Sequence, residues 1–89
     1  MFKLTTQREQ GDDVILKLEG RLVAAWAGEF ARAVDTAMSE HGRITLDLDG
    51  LSFADARGVA LIRGAVNRGA RLAGGSEFIS ALIDEVRSR

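Results

Sequence analysis

The sequence predicts an α/β domain of order β-β-α-β-α-β-α, with a mixed sheet of about four strands and the helices mainly on one face. Three observations carry this. Apolar residues alternate with polar ones in Val14 to Glu19 and in Ile44 to Asp49, the period of a half-buried strand. Between these runs Trp26, Phe30, Ala33, Val34, Ala37 and Met38 recur at helical spacing, with Glu29, Arg32, Asp35 and Glu40 elsewhere. The polar alternates Lys17, Glu19, Thr45 and Asp47 leave one sheet face in water, whereas a sheet covered on both faces reads as continuous apolar runs.

The elements follow in order. Lys3 to Glu9 reads as a first strand, and Gly11, Asp12 and Asp13 turn it into an antiparallel hairpin with the second. Gly20 closes the second strand. Ala24 to His41 reads as a helix, with Gly42 at its C-terminal stop. After the third strand, a turn at Gly50 leads through Leu51 and Phe53 to Asp55, a candidate N-cap for a second helix with Val59, Ile62 and Val66 inward. Gly69 ends that helix, Ala70 to Ala73 form a short fourth strand, and Gly74-Gly75 make a tight connection. Ser76 then caps a last helix with apolar residues Phe78, Ile79, Leu82, Ile83 and Val86. The two strand-helix-strand units predict parallel neighbours.

Composition narrows function. The chain has 89 residues, a formal net charge of -1, no Cys and one His, which is one domain with one modest core. The missing Cys excludes disulfides and thiolate metal sites. The single His, His41, leaves no His-based metal cluster and no motif-like nucleophile-base pair, so no cofactor and no catalytic residue is expected. Balanced charge argues against a nucleic-acid binder. No run approaches a membrane span, and Met1 to Gln10 does not read as a signal peptide. The expectation is a cytoplasmic, non-enzymatic domain.

The informative segment is Leu46 to Ile62, LDLDGLSFADARGVALI. A strand ends in acidic residues, a short loop follows, and Asp55-Ala56-Arg57-Gly58 opens a helix whose first N–H groups lack intrahelical partners. On residues alone this fits an ordinary strand-helix turn with Asp55 as its cap. The segment also resembles the STAS domain family, named for sulfate transporters and anti-sigma factor antagonists. The resemblance runs from Leu18-Glu19-Gly20-Arg21-Leu22 before the first helix, through Asp47, Gly50, Phe53, Asp55 and Gly58 of a block usually written D-L-S-G-[LV]-x-F-x-D-S-S-G, to Gly69-Ala70-Arg71-Leu72 before the last helix. It implies a module that docks onto a protein partner through Asp49, Leu51, Ser52, Phe53, Asp55, Ala56, Arg57 and Gly58. In that role Asp55 shapes the loop, Gly58 permits close approach and Arg57 supplies charge selectivity.

Three departures from the family pattern matter. In anti-sigma factor antagonists the second Ser of D-S-S-G accepts phosphate from a kinase-type anti-sigma factor. Here that position is Arg57 and the preceding one is Ala56, so a fixed positive charge stands where the family places a group that gains about -1.5 to -2 charge. Ser52 is close by but out of register. Arg57 either points to solvent and pairs with Asp55 or Asp49, or meets an acidic or phosphate-bearing group on a partner. Before the first helix, where relatives carry a polar residue, stand Val23-Ala24-Ala25-Trp26. Trp26 reads as a core staple of the helix start, the alternative being an interface anchor. The second helix also has only 10 residues between Gly58 and Gly69, about one turn short of the family.

The remaining features read as structural. His41 complements a helix end. Gly74-Gly75-Ser76 lacks the Lys of a phosphate-binding loop and reads as a turn and cap. Arg63, Asn67, Arg68 and Arg71 cluster near the second helix end, and Arg87 and Arg89 near the last, as dipole complements. The functional expectation is a regulator resembling anti-sigma factor antagonists without the Ser phospho-switch, whose partner is an anti-sigma factor of kinase type. The alternatives are a small STAS subunit bracing the ATPase of an ABC-type lipid transporter, and a nucleotide or anion sensor. The open sheet face leaves room for a homodimer.

Overall fold

Alternation decides which side of each strand meets the core, and the structure follows it. A computed structural model describes residues 1–8, 13–40 and 42–87, with side chains through residue 83. β1 (Phe2–Arg8) runs antiparallel to β2 (Asp13–Leu22), β2 is parallel to β3 (Arg43–Ala54), and β3 is parallel to β4 (Arg71–Ala73). The sheet therefore has four strands in the order β1-β2-β3-β4. Val14, Leu16 and Leu18 of β2 and Ile44, Leu46 and Leu48 of β3 are buried, while Lys17 and Glu19 are exposed and Thr45 and Asp47 half-buried. The hairpin turn expected at Gly11 and Asp12, the strand end at Glu9, and His41 lie outside the described residues.

The dry face takes the helices: α1 (Ala24–Glu40), α2 (Ala56–Asn67) and α3 (Glu77–Arg87). α2 packs against both α1 and α3. From α1, Ala27, Phe30, Val34 and Ala37 enter the core, spaced to lie on one helix face. Trp26 is half-buried and packs on the core with its ring 6.4 Å from that of Phe2, which agrees with a staple at the helix start. α2 buries Val59 and Ile62 as expected, together with Gly58 and Ala65. Val66, expected inside, is only half-buried, because it sits at the last turn and Ala65 takes the inward position beside it. Gly69 ends α2 with φ +109, a conformation that favours glycine. Arg68 does more than complement the helix end: its guanidinium lies 2.6 Å from Asp35 of α1.

Two expectations are corrected by the strands. Gly20 does not close β2 and Gly50 is not a turn. Both strands continue in parallel, to Leu22 and to Ala54, across two register shifts. The shifts are bulges, each adding one unpaired residue and bending the strand. Glycine is needed there for close approach. Gly20 has φ +92, and a Cβ on it would collide with the Met1 carbonyl oxygen. A Cβ on Gly50 would lie 2.7 Å from the Glu19 side chain and 3.1 Å from the Leu18 carbonyl oxygen. The Ser52 hydroxyl donates to the Gly20 carbonyl at 2.9 Å and ties the residue skipped by the second shift back to β2.

The last helix brings a third correction. The Ser76 hydroxyl accepts from Ile79 N–H at 3.1 Å, so the expected cap is present. Ile79 and Ile83 are buried, yet Phe78, expected beside them in the core, is 52% exposed. Adjacent helical residues are rotated by about 100°, so Ile79 and Ile83 fill the inward stripe and Phe78 falls on the flank. The side chain of Val86 lies outside the described residues.

Asp55 joins these pieces. Its backbone is extended, with φ -80 and ψ -179. One carboxylate oxygen accepts from Gly58 N–H at 2.8 Å and caps α2; the other accepts from Ala24 N–H at 2.9 Å, at the first residue of α1. Its own N–H donates to the Leu22 carbonyl at 3.1 Å. Behind it, a Cβ on Gly58 would run into that same Leu22 carbonyl and approach its Cγ to 3.0 Å.

Three substitutions separate these contributions in urea unfolding. Asp55→Ala should lower stability by about 2 kcal/mol, the upper range for loss of a cap, because two N–H groups lose their acceptor. Gly58→Ala should cost about 1–3 kcal/mol by overpacking. Gly64→Ala, in the same helix with nothing within 4 Å of its would-be Cβ, should instead stabilise by about 0.5–1 kcal/mol.

Candidate functional site

The run Asp49 to Gly58 forms the outer arm of β3 and the first turn of α2. β4 pairs with β3 only from Thr45 to Asp47, so everything from Asp49 onward projects beyond the sheet's last strand and pairs only with β2. The residues divide by burial. Leu51 is 3% exposed and belongs to the core, and Gly58 is buried against Leu22. These two support the surface from beneath. Ser52, Ala56, Arg57 and Asp49 are exposed, with Phe53 and Asp55 half-buried between them.

Hydrogen bonds already engage the carboxylates of this surface. Both Asp55 oxygens accept backbone N–H groups. Asp49 accepts from Gly75 N–H at 2.9 Å and its own N–H donates to the Asp47 carboxylate at 3.0 Å. Asp49 thereby ties the β3 arm to the turn before α3. A Cβ on Gly74, which has φ +68, would collide with the Asp49 carboxylate. The Gly74-Gly75 connection is thus shaped around an acidic side chain, not around a phosphate.

Arg57 is the contrasting member. Of its two alternative placements the pairing with Asp55 or Asp49 is absent: among the described residues the one ion pair is Arg68 with Asp35. Arg57 stands exposed on the first turn of α2, which holds no acidic residue. A cation there is disfavoured by the helix dipole by about 0.3–1 kcal/mol, and the Asp55 carboxylate at the cap offsets it.

Two contributors escape sequence reasoning. Arg21, on the extended end of β2, places its guanidinium carbon 5.1 Å from the centre of the Phe53 ring. Phe78 stacks on the same Phe53 ring, with ring centres 6.3 Å apart and planes 22° apart. The signal for Phe78 is the Ile79 and Ile83 pair after the Ser76 cap, which already supplies the inward stripe. Arg21 has no such signal, because its place beside Phe53 depends on the bulged register.

The site offers charge, donors and an aromatic surface. Among the described residues no group of His, Cys, Asp or Glu is placed to hold a metal ion. No helix among them is long and apolar enough to cross a membrane.

Comparison with known proteins agrees with this fold. The model of the family described as "Mlab, STAS domain" matches residues 5–81. A search of curated protein sequences found no match. Among solved structures, the STAS domain of an antisigma-factor antagonist from Rhodobacter sphaeroides is 27% identical, with 85% of this chain and 92% of that one covered and a TM-score of 0.68. The anti-sigma factor antagonist SpoIIAA in its unphosphorylated form is 19% identical over 98% of this chain and 100% of that one, with a TM-score of 0.64. The phosphorylated form of SpoIIAA, a Bacillus cell fate determinant, is 18% identical over 94% and 83%, with a TM-score of 0.74; these two likenesses establish the shared fold. With strand order, helix layer and family model in agreement, the chain belongs to the STAS family.

Proposed function

We propose that this chain is a non-catalytic docking module that presents the first turn of α2 and the outer arm of β3 to a protein partner in the cytoplasm. The observation that carries the reading is Arg57: an exposed guanidinium, without an ion pair among the described residues, on a helix start that Asp55 holds in place. Its planar fork suits bidentate contact with a carboxylate or phosphate on the partner. In the motif register Arg57 occupies the phosphate-acceptor position of anti-sigma factor antagonists, so docking here is governed by a fixed charge instead of a modification. The 27% identity to an antisigma-factor antagonist over most of both chains supports a regulatory partner of the anti-sigma type.

A second reading rests on the family model, whose description names MlaB. Under it the same surface braces the ATPase subunit of an ABC-type lipid transporter. Both readings use protein contact alone, with neither nucleic acid nor membrane insertion, and the identity of the partner decides between them.

Affinity purification from the source organism with a tagged chain tests the proposal. One dominant protein partner should be recovered, a kinase-like anti-sigma factor under the first reading and an ABC ATPase under the second. Arg57→Glu should cut capture at least about tenfold, in the range of an interface hot spot, with folded stability unchanged or raised by up to about 1 kcal/mol, because the helix dipole favours an acidic residue there. Recovery of no partner, or capture indifferent to the charge reversal, counts against the docking role.

A further inference from the structure

We infer that the stack of Arg21, Phe53 and Phe78 is an anchor site for a partner segment that carries an apolar side chain beside a carboxylate; the inference rests on the docking role proposed above and names the chemistry it selects. A singly exposed Phe is ordinary on a protein surface, and Phe78 on its own would carry nothing. Three features set this one apart. It is stacked on a second ring, Phe53, in a defined geometry with centres 6.3 Å apart. That ring also has a guanidinium 5.1 Å from its centre. And Phe53 belongs to the β3 arm that ends at the Asp55 cap, so the rings are continuous with the surface that presents Arg57.

The three side chains come from β2, β3 and α3, and each is fixed by a different constraint. The second register shift pairs Arg21 with Phe53. Phe78 is held by the Ser76 cap, which sets the start of α3, and by the Asp49 to Gly75 bond, which sets the turn before it. The cluster is therefore preorganised, and a partner loses little by ordering it. Aromatic and Arg side chains are the types enriched at interface hot spots.

The carboxylate requirement comes from unmatched donors. The Arg21 side chain makes no hydrogen bond and no ion pair among the described residues. Asp49 and Asp55, the acidic residues of the arm, accept backbone N–H groups instead. Glu19 on the same strand and Glu77 next to Phe78 are exposed and form no ion pair with Arg21. A guanidinium beside a ring keeps its edge donors available for a planar acceptor, while the rings accept the neighbouring apolar side chain.

The test uses the full chain and a defined probe. A phage library of random 12-residue peptides is selected on the immobilised protein, and the enriched sequences are synthesised with a fluorophore and titrated by anisotropy. Enriched peptides should carry an aromatic or aliphatic residue close to Asp or Glu. Phe78→Gln and Arg21→Gln should each weaken binding about tenfold or more, and replacing the peptide carboxylate by its amide should weaken it about fivefold or more. Circular dichroism of both variants should match the parent, and Phe78→Ala serves as the second variant at that position. The inference is overturned if no peptide is enriched, if the enriched peptides lack the carboxylate, or if they bind Phe78→Gln as tightly as the parent. Loss with Arg57→Glu but not with either stack variant removes this inference and leaves the docking role standing; indifference to all of them removes both.

Discussion

One residue holds four segments at one point. Asp55 accepts from the first residue of α1 and from the first turn of α2, and its backbone bonds to the end of β2 while closing β3. Each helix start would otherwise leave N–H groups without partners at the edge of the core. Because both oxygens are committed, the carboxylate is a structural junction and the charge it brings is balanced by backbone dipoles. The position of Arg57 follows from it: two residues into a capped helix, its direction is set by backbone geometry that Asp55 fixes. The same junction demands a small residue behind it, and Gly58 against Leu22 meets that demand.

The second constraint is the bulged pairing of β2 with β3. Strands that ended at Gly20 and Gly50 would leave Leu51 to Ala54 outside the sheet. Two register shifts instead carry both strands onward, so that Leu51 and Ala54 reach the core while Ser52 and Phe53 face outward. The arm is thus a surface with a packed underside. Asp49 braces it from the α3 side and Ser52 from the β2 side. A surface built this way is ordered without help from a partner, which in the proposed docking role suits recognition by shape and charge more than by folding on contact.

What the sequence reveals and what it hides divides along the same lines. Order, strand faces and the caps at Asp55 and Ser76 are legible because each is a local pattern: a period of two, a period near 3.6, or a side chain meeting an N–H three residues on. Gly20 and Gly50 mislead because glycine marks both a turn and a close backbone approach, and only the partner strand tells the two apart. Phe78 misleads because an apolar residue at the edge of a helix stripe satisfies the pattern from either side. The contacts that build the site are longer in range. Asp49 to Gly75, Ser52 to Gly20, Asp55 to Ala24 and Arg21 to Phe53 each join segments that no window along the chain contains together. Candidate residues were therefore visible before their roles were. Leu51 and Gly58 prove to be supports, and Arg57 proves to be free of the two acids nearest it in sequence.

That freedom bears on how such a module is controlled. In the register of the family motif, the residue after the Asp55-Ala56 step is where a hydroxyl would take a phosphate, gaining two negative charges or nearly so at a helix end that favours anions. If Arg57 holds that register, as the motif resemblance implies, it reverses the sign and offers no hydroxyl. Within the proposed docking role, a partner therefore meets the same charge at all times, and the modification that would release it in a phospho-switched relative has no acceptor at this position. The Arg21 guanidinium beside Phe53 is permanent in the same sense.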